Sequence, residues 1–107
     1  MEDEIILTLC TAPDAETAAK LARGLVEGKL AACVNVVPGL RSFYVWKGEL
    51  NDEAEVQLLI KTRTSRAKEV EAFLEQHHPY DTPEILFLTI RGGSDKYLDW
   101  LRQQTTR

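Results

Sequence analysis

Residues 4–11 carry the pattern that most restricts the fold. Ile5, Leu7 and Leu9 alternate with Ile6, Thr8 and Cys10, so a strand here is apolar on both faces. In a two-layer α+β domain helices cover only one face of the sheet. The other face would then leave more than roughly a few hundred Å² of apolar surface in water, which soluble monomers rarely carry. A second copy of the chain is the simplest cover, and the strand therefore predicts an oligomer. At 107 residues the chain is one domain, 1–107, and needs no disulfide or metal staple to fold.

Pro13-Asp14 opens a helix whose stripe is Ala15, Ala18, Ala22, Leu25 and Val26, with Gly28 placed to end it. Residues 30–37 read as a strand, interrupted at Pro38-Gly39 by a bulge or bend and resumed through Trp46. A hairpin turn over 48–52 leads to a return strand over 53–62. A second helix, capped by Thr64 or Ser65, carries Ala67, Val70, Phe73, Leu74 and His77 and stops before Pro79. Residues 84–91 form the last strand, and Ser94 caps a short terminal helix with Tyr97, Leu98 and Leu101. The order predicts an α+β, ferredoxin-like β-α-β-β-α-β sandwich with an extended hairpin and a C-terminal helix. That fold hosts many unrelated functions.

The net charge is −4, with Lys and Arg scattered among acids, which argues against a phosphate-binding face for nucleic acid. The start, Met-Glu-Asp-Glu, is acidic, unlike the n-region of a signal peptide, and no apolar run approaches the ~18 residues of a membrane span. The two cysteines, Cys10 and Cys33, sit in apolar runs without paired metal spacing, which fits a reducing, cytoplasmic setting.

Cys10 reads either as a small core hydrophobe or as a metal ligand. In His77-His78 one reading packs His77 on the helix stripe and lets His78 cap carbonyls. The other brings both imidazoles to a metal where Pro79 breaks the helix. Glu53 and Glu55 share a strand face and read as a solvated hairpin edge rather than an acid–base pair. Phe43, Tyr44 and Trp46 lack the basic flanks of a base-stacking platform and read as an arm that packs on another subunit. No nucleophile-and-base set, phosphate loop or dinucleotide motif is present, so no enzymatic activity is expected.

Six stretches in order resemble the CutA family of divalent-cation-tolerance proteins. They are Cys10-Thr11-Ala12-Pro13; Leu30-Ala31-Ala32-Cys33-Val34-Asn35; Pro38-Gly39 with Ser42, Tyr44 and Trp46; Glu55 through Ile60-Lys61-Thr62; His78-Pro79-Tyr80 with Pro83-Glu84-Ile85; and Tyr97-Leu98 with Trp100-Leu101. The resemblance implies a homotrimer akin to the PII signalling proteins and a link to copper and other divalent metals. It implies copper ligands at Cys10, His77 and His78, a set that suits copper in either oxidation state.

A topological expectation stands against one shared site. If the second helix starts at the edge of the sheet where Cys10 lies and runs away from it, His77 and His78 end roughly 20 Å off. The site then spans two subunits or divides in two. A second function class is a small-molecule sensor or adaptor, with Tyr44, Trp46, Lys61, Tyr80 and Glu84 lining an intersubunit cleft. A third, an acylphosphatase-like enzyme, needs an anion loop after the first strand, where Thr11-Ala12-Pro13-Asp14 has an acid instead of a base.

Overall fold

The computed structural model describes residues 3–106; Met1 and Glu2 of the acidic start lie outside the described residues. The elements are β1 (Ile5–Ala12), α1 (Ala15–Glu27), β2 (Cys33–Trp46), β3 (Glu49–Arg63), α2 (Ala67–His77), β4 (Leu86–Thr89) and α3 (Asp95–Gln104), with a 3-10 turn at Thr64–Arg66. The strands form one antiparallel sheet in the order β2-β3-β1-β4, the ferredoxin-like arrangement that the element order predicts.

Asp14 caps α1, its carboxylate accepting the Thr17 amide at 2.7 Å. Ala18, Leu21 and Leu25 are buried at helical spacing. Gly24 lets α2 come close, since a Cβ there would meet the Phe73 ring at 2.5 Å. The helix end differs from expectation: Gly28 keeps φ −81° and Lys29 takes the left-handed conformation at φ 60°. The amides of Leu30 and Ala31 both return to the Leu25 carbonyl, which pulls the reversal one residue on.

The hairpin turns at Lys47-Gly48, both at positive φ, as a two-residue loop requires. The return strand thus begins at Glu49, earlier than expected. Thr64 and Ser65 lie in the 3-10 turn rather than capping α2 directly, and Ser65 is held by the Asp3 carboxylate at 2.7 and 2.8 Å.

The principal core lies between the sheet and α1/α2, around Leu58, Ile60, Leu25, Val70 and Leu74, all fully buried. α3 closes a smaller cluster in which Leu101 packs with Ile5 and Ala32. The opposite sheet face stays largely open. Cross-strand pairing sets Leu7 beside Leu88, and Leu9 beside Leu86 and Leu59. Leu86 and Leu88 are exposed, and Leu7, Leu9 and Leu59 only half-buried. Strand β1 is therefore apolar on both faces, with α1 and α2 over one and α3 over only the Ile5 end of the other.

Candidate functional site

A cleft of about 550 Å³ opens on that uncovered side, between the base of the β2–β3 hairpin and the segment joining α2 to β4. The register of β2 builds one wall. A bulge between Val37 and Leu40, where Gly39 takes φ 88°, shifts the strand by one residue. Without that shift the odd-numbered residues would continue the face of Val37 and its partner Gln57. With it, Leu40, Ser42, Tyr44 and Trp46 join that face, opposite Glu55, Glu53, Asn51 and Glu49 in turn. Tyr80, Asp81, Thr82 and Glu84 form the other wall, and Thr11 and Gln57 line the floor.

Two phenols face carboxylates here. The Tyr80 hydroxyl donates to Glu55 Oε2 at 2.8 Å, and the Tyr44 hydroxyl donates to Glu53. Burial first and the Glu55 carboxylate second raise the Tyr80 pKa, while the hydrogen bond to Glu53 raises that of Tyr44. Both phenols therefore stay protonated donors at neutral pH. Glu55 is 7% exposed, so it is no solvated edge, although Glu53 is exposed as the sequence suggests.

His78 ties the Tyr80 wall to the floor. Its Nε2 lies 2.7 Å from the Thr11 carbonyl, which can only accept, and its Nδ1 lies 3.1 Å from the Tyr80 amide, which can only donate. Those partners assign Nε2 as the donor and Nδ1 as the acceptor, so both nitrogens are occupied. The ring is buried, and packs on Tyr80 with centroids 4.7 Å apart. Cys10 is fully buried in the core under the helices. Burial foremost, then Glu84 and Glu55, push its thiol up to about 12, so it is not a thiolate at neutral pH. Its carbonyl accepts the Gln57 side-chain amide at 2.9 Å. His77 is exposed at the end of α2, its ring 4.4 Å from that of Phe73.

One expectation is corrected. The 20 Å separation of Cys10 from the histidines does not occur. Strand β3 is antiparallel to β1, with Ile5 opposite Arg63, so α2 starts at the beginning of β1 and runs toward its end. His78 thus meets Thr11, the neighbour of Cys10. Lys61 lies outside the cleft of the single chain, four residues along β3 from Gln57, beside Asn35 and 4.0 Å from the Cys33 sulfur. Tyr44, Trp46, Tyr80 and Glu84 do line it together. Glu55, Gln57 and Thr11 were not foreseen there, although the even spacing of Glu53, Glu55 and Gln57 puts them on one face. Among the described residues no group of three or more His, Cys, Asp or Glu side chains is placed to hold a metal.

The chain thus combines a ferredoxin-like sheet, an open apolar sheet face and an aromatic, carboxylate-lined cleft. The profile of the CutA1 divalent ion tolerance protein family matches residues 6–104, and the chain belongs to that family. It is 50% identical over 98 residues to the divalent-cation tolerance protein CutA of Pectobacterium atrosepticum, covering 92% of this chain and 89% of the relative. The Thermus thermophilus divalent cation tolerance protein Cut A1 superposes with a TM-score of 0.92 at 45% identity, over 95% of this chain and 99% of the other. A protein called the periplasmic divalent cation tolerance protein CutA, from Archaeoglobus fulgidus, superposes with a TM-score of 0.92 at 35% identity, over 95% and 99% of the two chains. No helix among the described residues is long and apolar enough to cross a membrane.

Proposed function

We propose that the chain is a homotrimeric, non-catalytic binding protein that serves divalent-cation tolerance, with the cleft around Glu55 as its working site for a small ligand. The observation that carries this reading is a buried carboxylate at the junction of two aromatic walls, in a cavity large enough for a small molecule. Assembly is supported by the open sheet face with Leu86 and Leu88 exposed, and by the outlying hairpin residues Val45 and Leu50 at 67% and 74% exposure. A cytoplasmic setting is supported by Cys10 and Cys33 as free thiols.

Copper binding at Cys10, His77 and His78 is the second reading. One observation favours it: His78 touches Thr11, so the three residues gather at one end of the sheet. Binding there requires Cys10 to lose a proton it holds up to about pH 12, and His78 to release the Thr11 carbonyl or the Tyr80 amide. The exposed His77 imidazole needs neither change. Calorimetric titration with Cu(II) is therefore expected to give weak binding that falls several-fold in His77→Ala and is unchanged in Cys10→Ser. Tight binding lost equally in Cys10→Ser, His77→Ala and His78→Ala would favour the three-ligand site instead.

A further inference from the structure

The cleft gathers carboxyl groups with no cationic side chain of the described residues beside them. Glu55 is 7% exposed, and its hydrogen-bond donor is a neutral phenol, Tyr80. No Lys, Arg or His among the described residues pairs with it or lines the cavity. Arg41, which neighbours the cleft on β2, is already bound by both nitrogens to Asp52 at 2.8 Å. Asp81 and Glu84 add further carboxylates to the same walls. A buried carboxylate with one neutral hydrogen-bond donor leaves room for a charge-assisted partner, and a bound positive charge would supply it.

The aromatic walls specify what kind of cation. Tyr44, Trp46 and Tyr80 border the same space as Glu55, and aromatic faces attract ammonium and guanidinium groups as well as apolar bodies. A bare metal ion fits poorly, because no group of three or more ligating side chains converges among the described residues. A volume of about 550 Å³ also exceeds what one ion fills.

We propose that the cleft takes an organic cation, an ammonium or guanidinium head on a small apolar body, with the head at Glu55 and the body among Tyr44, Trp46 and Tyr80. This rests on the reading of the cleft as the ligand site. The closing experiment uses the full chain with Trp100→Phe, so that fluorescence reports Trp46 alone. The probes are benzylamine and agmatine, with benzyl alcohol as the neutral isostere and benzoate as the anionic one. Both cations are expected to quench or shift Trp46 emission saturably, and benzylamine to bind at least tenfold more tightly than benzyl alcohol. Binding is expected to weaken with added salt. Glu55→Gln keeps the hydrogen bond from Tyr80 and is expected to lose at least tenfold in cation affinity, with Glu84→Gln as a second, milder variant. Equal binding of benzylamine and benzyl alcohol would overturn the cation proposal while leaving the cleft as a ligand site. No saturable response to any probe would overturn both. A Lys or Arg of a second copy seated on Glu55 in a crystal of the assembled protein would also overturn it.

Discussion

His78→Ala is expected to cost about 2 kcal/mol of stability, because it strips a buried carbonyl and a part-buried amide of their partners at once. The Thr11 carbonyl loses the Nε2 donor at 2.7 Å and the Tyr80 amide loses the Nδ1 acceptor at 3.1 Å. The segment carrying Tyr80, Asp81 and Glu84 is then released from the end of β1, so the cleft should lose its second wall as well. His78→Gln places an amide donor near the Nε2 position and should recover the Thr11 bond without the Tyr80 bond, giving an intermediate loss. Denaturant unfolding at fixed protein concentration, without metal, measures all three proteins. A metal-ligating role alone would leave metal-free stability unchanged in both variants.

Assembly should be the most sensitive property of the open sheet face. Hiding even about 1,000 Å² of apolar surface corresponds to roughly 25 kcal/mol before the costs of association are subtracted. Sedimentation equilibrium of the wild type is expected to give three times the chain mass of 12.1 kDa at micromolar concentration. Leu88→Asp puts a carboxylate on the open face, beside half-buried Leu7 and away from the helix-side core. It is expected to weaken association at least tenfold, and to lower the thermal midpoint because folding and association are linked. A folded wild-type monomer at those concentrations would contradict the reading of the doubly apolar strand.

Much of the fold was legible because it follows from local rules. Alternation in residues 4–11, the cap at Asp14, the stop before Pro79 and the cap at Ser94 all lie where the sequence puts them. Local rules failed at reversals. Lys29 rather than Gly28 turned left-handed, and Lys47-Gly48 made the hairpin shorter than the polar run over 48–52 suggests.

The cleft was half legible. Tyr44, Trp46, Tyr80 and Glu84 could be grouped because aromatics and acids recur on the hairpin and after α2. Glu55 could not, since on its own strand it resembles any solvated edge, and its cover comes from Tyr80, on a segment distant in sequence. The position of His78 was misjudged through one error of strand direction, which reversed α2 and moved the histidine a strand length from where it packs.

The proposed ligand site is the cleft around Glu55, with Cys10 and His78 supporting its floor. Amide chemical shifts of the isotopically labelled protein, followed as small amines and then copper ions are added, test that claim most directly. Amine-induced changes are expected to cluster at Tyr44, Glu55, Gln57, Tyr80 and Glu84, with copper effects confined to the surroundings of His77. Changes centred on Cys10 and His78, with the Tyr44 and Glu55 amides unmoved by every amine, would contradict it.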